Sequence, residues 1–409
     1  MAPSTIPGDG DDGQQLLTGD EVEPLLVAAV AHAGGDLLQW RLDHVDHDPQ
    51  RSTTATYLAT VRWTFGEREE LLGCSVRAQG PSRTDDVAEI FSDGETAAAV
   101  WIYPTDPDLP GLARAAFAER MVELVNEHRL VGRPVGLDDV ELTMIGYRPR
   151  RRAVLRMRVR GEVFFVKVLR PDQFDAVLSR HLLLSEAHVP APEVVATTDD
   201  HLLVLRELPG RPLALAMFDD EPPCDGQTVV ELLERLPPGV ARLERRPPWT
   251  DAVDHYAQII AHALPEQAER AEQLASAIRS GLAGVPLGDE PTHGDFHEGQ
   301  VHVDGGRIVG LLDVDTIGPG RRADDLACLV AHLSTVQRMD ERQTRNVHAL
   351  IRGWVPVFDE RVDATELRLR AGAVIISLAT GPHRGQEPDW EAETITILDA
   401  AEALVRQVS

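Results

Sequence analysis

The sequence contains almost no lysine. Of its 40 basic residues one, Lys167, is lysine, and the others are arginine. The two cations differ chemically, because lysine is a compact point charge on a flexible stem whereas arginine is a planar fork. A chance survivor of biased codon usage would give the same count. A chain that uses arginine elsewhere but keeps one lysine is nevertheless expected to need an ammonium group at that position.

Cysteine and long apolar runs are also scarce. The three cysteines lie far apart and show no metal-ligand spacing, so they are expected to be reduced and structural. No apolar run approaches the ~18 residues that a membrane span requires. The polar, acidic start of the chain, Met1 to Asp12, lacks the basic and apolar regions of a secretion signal. These absences predict a cytoplasmic protein without a membrane partner.

Positive charge is outnumbered by negative charge, and the formal net charge is −27. Such a surface repels nucleic acids and anionic membranes, so neither is expected as a partner. It also repels ATP, so an ATP site would need a local basic patch. The same field mildly favours a cationic ligand. The oligomeric state is not indicated by the sequence.

The order of predicted elements divides the chain into four parts. Residues 1–18 are rich in Gly, Asp and Pro and are expected to form a disordered acidic tail. Residues 19–135 alternate helical and β-like segments and predict a small α+β domain without a chemical motif. Residues 136–207 predict strands, one helix and further strands. Residues 208–409 predict a mostly helical region.

The clearest chemical signal is a pair of acidic segments joined by a predicted hairpin. The first segment, residues 293–300, reads HGDFHEGQ, and the second, residues 311–315, reads LLDVD. Between them lie two β-like runs joined by the turn signal DGG. The tripeptide HGD alone would be an ordinary loop, but the combination with the hairpin and the second acidic segment is far more specific.

This combination fits phosphoryl transfer to an alcohol. The reaction needs a carboxylate that orients the hydroxyl and accepts its proton, hard oxygen ligands for magnesium, and a cation on the phosphates. Asp295 is predicted to be the catalytic carboxylate. Gln300 and Asp313 are predicted magnesium ligands, with Asp315 as a second metal contact. Lys167 is the predicted cation.

The same segments resemble the aminoglycoside phosphotransferase-like kinases. The resemblance covers roughly residues 136–409. It rests on THGDFHEGQVHVDGGRIVGLLDVD with RRADDLA after it, and on FFVKVLR around Lys167, VPAPEVV at 189–195 and LRELPGRPL at 205–213. Gln300, where the superfamily usually has Asn, is similar to maltokinases and bacterial glucosamine kinases, which carry an N-terminal cap domain.

The resemblance implies a fold and a set of ligands. The fold would be α+β and bilobal, protein-kinase-like, with a β-rich N-lobe, a helical C-lobe and an extra α+β cap at residues 19–135. The cofactors would be ATP and Mg²⁺, with Lys167 on the α- and β-phosphates and Asp295 as base. Backbone near Arg206, Glu207 and Leu208 would face the adenine. The acceptor would be a sugar, an amino sugar or an aminoglycoside.

Besides Gln300 in place of the usual Asn, two features depart from the family pattern. Residues 146–153, GYRPRRRA, lack the glycine-rich pattern that covers phosphates in protein kinases. The three arginines 150–152 either attract the triphosphate electrostatically or form a solvated basic turn. The acidic partner expected for the lysine is unassigned, because neither Asp175 nor Glu186 is convincingly placed.

Some residues near the motif have several interpretations. His293 is expected to brace the loop, and Asp325 either caps a helix or ties the loop down. His297 and Glu298 are placed to contact the acceptor, although exposure alone would explain them.

Other functions remain as alternatives to the small-molecule kinase. A catalytically inactive pseudokinase that binds nucleotide or another ligand would share the fold, but retention of Lys167, Asp295 and Asp313 opposes it. A protein kinase is disfavoured, because the chain lacks an HRD-type loop and an activation segment ending in Ala-Pro-Glu.

Overall fold

The structure, a computed structural model, describes residues 12–48, 51–80, 83–92, 97–385 and 387–408. The described chain forms two compact units. The first lies within residues 1–175 and 194–207, and the second within residues 176–193 and 208–409.

The first unit begins with a five-stranded antiparallel sheet. Its elements are α1 (Gln14–Thr18), α2 (Glu23–His32), β1 (Asp36–Asp48), β2 (Ser52–Trp63), β3 (Gly66–Arg77), β4 (Glu89–Ser92) and β5 (Ala97–Ile102). The strands lie in the order β1-β2-β3-β5-β4. Residues 55, 57, 59 and 61 of β2 are buried, because successive side chains of a strand point to opposite faces. They share one core with the apolar face of α2.

The prediction of a disordered tail over residues 1–18 is wrong at its C-terminal end. Gln14–Thr18 is helical, and Leu17 is fully buried. The hydroxyl of Tyr57 donates a 2.7 Å hydrogen bond to the carbonyl oxygen of Leu17. The apolar pair Leu16 and Leu17 explains the difference, because both pack against the sheet. Residues 1–11 of the predicted tail lie outside the described residues.

A second five-stranded antiparallel sheet completes the first unit. The elements are α3 (Leu112–Ala115), α4 (Ala118–His128), β6 (Val140–Arg148), β7 (Arg152–Val159), β8 (Glu162–Leu169), β9 (Val194–Thr197) and β10 (Leu202–Arg206). Between β8 and β9 lies α5 (Pro171–Glu186), which begins in the first unit and belongs to the second from residue 176. The strand order is β6-β7-β8-β10-β9. Gly161 forms the tight turn between β7 and β8 with φ 92°, a conformation that glycine adopts without strain. These strands agree with the predicted ones.

The predicted boundary between residues 135 and 136 falls between the two sheets of this unit. Both sheets therefore lie in one compact unit, whereas residues 176–193, predicted with the second sheet, group with the second unit. The four-part division and the role of residues 19–135 as a cap stay predictions.

The second unit is mostly helical. Its elements are β11 (Arg211–Pro212), α6 (Leu213–Ala216), α7 (Gly226–Glu234), α8 (Val253–Ala263), α9 (Ala268–Gly281), β12 (Glu290–Thr292), β13 (Val301–Asp304), β14 (Arg307–Leu311), β15 (Gly318–Gly320), α10 (Arg322–Ser334), α11 (Glu341–Asp359), α12 (Ala364–Leu378), α13 (Gly381–Arg384) and α14 (Trp390–Val405). Helix α12 is buried around most of its circumference and packs on α8, α9, α10 and α14. It is therefore the centre of the helical core.

The architecture of a β-rich part followed by a helical part agrees with the predicted α+β fold class. Among the described residues, no helix combines the length and the apolar character needed to cross a bilayer.

Candidate active site

The segment between β12 and β13, residues 293–300, is called the catalytic loop below after the predicted role of Asp295, and it is held in a specific conformation. Gly294 has φ 85°, and a Cβ atom there would lie 2.8 Å from the carbonyl oxygen of Thr316. Only glycine therefore fits without strain. His293 is fully buried, and its Nε2 lies 2.8 Å from the carbonyl oxygen of Leu312. This contact is the bracing role expected of His293.

Asp325 of α10 anchors the start of the catalytic loop. Its two carboxylate oxygens accept hydrogen bonds of 2.8 Å from the backbone N–H groups of His293 and Gly294. The side chain is fully buried, with Arg322 Nη1 3.6 Å away. Burial raises the pKa of Asp325, although Arg322, His293 and the two N–H donors act against it. Of the two expected roles, Asp325 thus has that of tying the loop down.

Asp295 follows directly after this anchored pair. It is partly exposed, and the next residue, Phe296, is fully buried and holds the backbone in place. The Sγ atom of Cys328, in α10, lies 4.0 Å from Asp295 Oδ1. Burial and the nearby Asp295 carboxylate raise the pKa of Cys328, so the thiol is protonated beside Asp295.

The hairpin of β13 and β14 brings the two predicted metal-binding segments together. Val301 pairs with Leu311, and the backbone N–H of Leu312 donates a 2.7 Å hydrogen bond to the carbonyl oxygen of Gln300. Asp313 follows in the left-handed region with φ 47°, which Asp tolerates better than most residues. The hydroxyl of Thr316 donates to the carbonyl oxygen of His293 at 2.8 Å. The catalytic loop and the end of the hairpin are therefore joined by hydrogen bonds.

The donor set of this hairpin suits magnesium. The Asp313 carboxylate and the Gln300 amide oxygen are hard ligands, and Mg²⁺ prefers few such ligands completed by phosphate and water. Asp315 is buried, and its Oδ1 lies 4.0 Å from His181 Nε2 of α5. The metal-binding roles of Gln300, Asp313 and Asp315 stay predictions.

His297 and Glu298 shift each other's pKa. Burial alone would lower the pKa of His297, but Glu298, Asp295 and Asp313 outweigh it and raise that pKa. Burial alone would raise the pKa of Glu298, but His297 and His332 hold it well below its ordinary value. Glu298 is therefore ionised at neutral pH, close to Asp295.

The residues predicted to bind the nucleotide lie elsewhere in the chain. Lys167 is a buried residue of β8, opposite Val154 of β7 and Leu203 of β10. Arg206 ends β10, and its Nη1 lies 3.1 Å from a carboxylate oxygen of Glu162.

One backbone group at the predicted adenine contact already makes a hydrogen bond within the protein. The N–H of Glu207 donates a 3.1 Å hydrogen bond to the carbonyl oxygen of Val163. The first unit ends at Glu207, and Leu208 is the residue at which the chain enters the second unit again. The nucleotide contacts of Lys167, Arg206, Glu207 and Leu208 stay predictions.

A family model described as the phosphotransferase enzyme family matches residues 146–360, more than half of the chain. The chain belongs to the phosphotransferase enzyme family. The match includes Lys167 and the whole of the catalytic loop and hairpin. The predicted resemblance is confirmed, and so is the predicted enzyme class, a small-molecule kinase. A search of curated proteins finds no match.

Solved structures of related folds have low sequence identity to this phosphotransferase. An aminoglycoside-3′-phosphotransferase of type VIII is 21% identical with TM-score 0.39, covering 63% of this chain and 99% of its own. An ethanolamine kinase from Plasmodium vivax is 12% identical with TM-score 0.44, covering 71% and 90%. A choline kinase from Cryptosporidium parvum is 11% identical with TM-score 0.48, covering 71% and 96%. At these TM-scores, family membership rests on the family match alone.

The basic turn of this phosphotransferase does not have the predicted environment. Arg150 is buried, so it is neither a solvated residue nor a free attraction for phosphate. Its guanidinium group contacts Asp85 and, at 3.3 Å, Asp108, and it lies 4.9 Å from the ring centroid of Trp101. Its backbone N–H donates a 2.8 Å hydrogen bond to Asp106. The predictions for Arg150 are therefore wrong, because its charge is neutralised by Asp85 and Asp108, which lie in the segments that flank β4 and β5.

The neighbours of Arg150 extend this contact. Arg151 Nε lies 2.8 Å from Asp46 Oδ2 of β1. Tyr147 donates a 2.7 Å hydrogen bond to Asp106 and accepts one of 3.1 Å from Trp101 Nε1. The turn between β6 and β7 is thus fixed to the first sheet.

One face of α10 was not recognised from the sequence. Asp325, Cys328 and His332 contact the catalytic loop, and they are spaced i, i+3 and i+7 along the helix. This spacing places side chains on one face of a helix. It was visible in the sequence, but the sequence does not show which segment that face contacts.

Proposed function

We propose that the enzyme transfers the γ-phosphate of ATP to a hydroxyl of a small molecule: a sugar, an amino sugar or an aminoglycoside. Asp295 is the base of this reaction. The observation that carries the proposal is the anchoring of the catalytic loop, in which Asp325 fixes the two residues before Asp295. A carboxylate that must meet a hydroxyl in a defined geometry needs such a rigid backbone.

Four side chains are each proposed to have one role in phosphoryl transfer. The Asp295 carboxylate orients the acceptor hydroxyl and accepts its proton while the oxygen bonds to the γ-phosphorus. The bond from that phosphorus to the oxygen that leaves with ADP breaks. Bound Mg²⁺ would neutralise charge on the phosphates. Gln300 and Asp313 are the side chains that would hold it, and Lys167 is proposed to bind the phosphates.

The acceptor class is proposed on weaker grounds. The net charge of −27 attracts cations to the protein. Ionised Glu298, three residues from Asp295, adds a local negative charge. Both features favour an acceptor that carries amino groups.

The test is a coupled assay of ADP release with a panel of amino sugars, glucose, maltose and aminoglycosides. Stimulation by at least one acceptor is expected. Asp295→Asn is expected to lower kcat by about 10²- to 10⁴-fold, the usual contribution of a general base, with nucleotide affinity retained. Stimulation only by neutral disaccharides would contradict the preference for amino groups. Nucleotide binding without turnover of any acceptor would instead indicate a binding module.

A further inference from the structure

Two imidazoles and a carboxylate meet beside the catalytic loop. His297 and Glu298 belong to the loop, and His332 lies near the end of α10. The two imidazole rings stack, with centroids 4.2 Å apart and an interplanar angle of 11°. One ligand atom from each of the three side chains lies within 4.8 Å of the other two. The three metal-binding groups therefore lie close together, and one ion can bind all three after one imidazole rotates out of the stack.

The separations in this cluster are too long for hydrogen bonds. Glu298 Oε2 lies 3.5 Å from His332 Nδ1 and 3.7 Å from His297 Nδ1. Hydrogen bonds from nitrogen to oxygen usually span about 2.7–3.2 Å. Glu298 Oε2 is also buried and has no hydrogen-bond partner among the residues that the structure describes. A buried carboxylate oxygen in this state is costly unless a cation approaches it.

The two separations from Glu298 Oε2 are close to the edge length of a zinc coordination tetrahedron. Zn²⁺ binds imidazole nitrogen and carboxylate oxygen at about 2.0–2.2 Å, so two ligands of a tetrahedron lie about 3.3–3.6 Å apart. The 3.5 Å between Glu298 Oε2 and His332 Nδ1 fits this edge length. The 3.7 Å between Glu298 Oε2 and His297 Nδ1 is slightly longer, and a small movement of either side chain would close the difference. Two histidines and one glutamate with an open fourth position form a known zinc donor set.

The contacts of the His297 ring suit a metal ligand as well. The backbone N–H of Gly299 lies 3.1 Å from Nδ1, so Nδ1 carries a lone pair. The ring proton is then on Nε2, which lies 3.0 Å from the side-chain amide of Gln300. The Gln300 atom at this position is the amide nitrogen, which is a donor, so the amide must turn by 180° for its oxygen to accept this proton. A metal at Nδ1 would replace the Gly299 N–H, and metal-bound histidines commonly donate their other N–H in this way.

We propose that His297, Glu298 and His332 form a binding site for a transition-metal dication of the Zn²⁺ class. Imidazole ligands favour such ions over magnesium, so the site is chemically distinct from Gln300 and Asp313. Occupancy draws the amide oxygen of Gln300 toward His297. If Gln300 holds Mg²⁺, as the proposed function states, Zn²⁺ bound here inhibits phosphoryl transfer.

The direct test measures metal binding without ATP, Mg²⁺ or an acceptor. The full chain, stripped of metal, is titrated with Zn²⁺ by calorimetry and by competition with a chromogenic chelator. One equivalent is expected to bind. His332→Ala and Glu298→Gln are each expected to weaken binding by at least about tenfold. His348→Ala, which removes an exposed histidine of α11, is the matched control and is expected to bind as the unmodified chain does.

Circular dichroism verifies that each variant is folded, and Glu298→Gln preserves side-chain size if His332→Ala does not fold. The absorption spectrum of bound Co²⁺ is expected to show nitrogen and oxygen ligands in the unmodified chain and to change in His332→Ala. The proposal is overturned if the unmodified chain binds no stoichiometric Zn²⁺, or if the His332→Ala and His348→Ala variants bind it equally.

Inhibition of phosphoryl transfer by bound Zn²⁺ is tested by a separate measurement. The ratio of turnover with and without added Zn²⁺ is expected to fall in the unmodified chain and to remain closer to one in His332→Ala. A chain that binds one Zn²⁺ but phosphorylates no acceptor would overturn the proposed function and leave the metal site standing.

Discussion

Among single residues, Gly294 shows how the backbone conformation and its neighbours restrict the residue type that a position can hold. Its φ of 85° and the 2.8 Å approach of the Thr316 carbonyl oxygen both exclude a side chain. The sequence motif HGD suggests that glycine matters there, but it does not distinguish a conformational requirement from a steric one. Only the position of Thr316, which is distant in sequence, shows that both apply.

Gly294→Ala is therefore expected to destabilise the protein by about 2–3 kcal/mol, the sum of left-handed strain and a backbone clash. Gly284→Ala is the matched control, because Gly284 has φ 80° but an added Cβ there would have no atom within 4 Å. It is expected to cost about 1–2 kcal/mol, the strain alone. Urea unfolding of both variants measures the difference. Equal losses would show that the contact with Thr316 is unimportant.

The sequence suggests roles for Asp295, Gln300 and Asp313, which stay predictions, but it does not indicate the environment of the arginine turn. Hard oxygen donors at hairpin spacing are recognisable because their types and their separation are local properties. The partners of Arg150 lie 42 and 65 residues away along the chain, and no local pattern connects them. The contact of His332 with the catalytic loop was not predicted for the same reason, because no local pattern connects the two segments.

At the level of elements, α10 and the catalytic loop form one structural unit. Helix α10 was predictable from its apolar content and from the acidic residues of its first turn. Its contacts were not, because a helix buried on most sides has no single apolar face that identifies a neighbour.

Asp325→Ala is expected to lower the free energy of unfolding by about 3 kcal/mol or more. The substitution leaves the buried N–H of His293 and the part-buried N–H of Gly294 without their acceptor, and an unsatisfied buried group costs about 1–3 kcal/mol. Turnover is expected to fall as well, because the loop before Asp295 loses its anchor. Asp363→Ala removes a helix cap that accepts one N–H, and it is expected to cost about 1 kcal/mol. Denaturant unfolding and turnover, measured on both variants, check this. A loss for Asp325→Ala no larger than for Asp363→Ala would contradict the anchoring role.

At the scale of the whole molecule, the two sheets of the first unit are joined by a buried ionic contact. Runs rich in Val, Thr, Leu and aromatic residues predicted all five strands of the second sheet and three strands of the first, whereas β1 and β4 were not predicted. The association of the two sheets depends on Arg150, Asp85 and Asp108, and it was not predicted.

Arg150→Met is expected to destabilise the first unit by about 3–5 kcal/mol, because it removes this cation from the buried carboxylate of Asp85 and leaves Asp108 to its ion pair with Arg77. Arg151→Ala is the control. Its ion pair with Asp46 is exposed, so a change within about 1 kcal/mol is expected. Thermal and denaturant unfolding measure both effects. If the two substitutions cost the same, the buried contact does not hold the sheets together.

The net charge of −27 gives a further expectation for the whole molecule. Like charges repel in the compact state, and salt screens them over a Debye length of about 10 Å at 0.1 M. The Tm is expected to rise when sodium chloride is added to a low-salt buffer at neutral pH. An equal osmolality of a neutral solute controls for excluded-volume effects. A Tm that is insensitive to salt would mean that local ion pairs already compensate the surface charge.

The spacing of Asp325, Cys328 and His332 also limits how this gene can change. An α-helix turns by about 100° per residue, so one inserted or deleted residue between positions 325 and 332 rotates everything beyond it away from its present direction. Point substitutions on the opposite side of α10 leave that direction intact. Variation in this segment is therefore restricted to replacements that conserve its length, while the connecting loops remain free to lengthen.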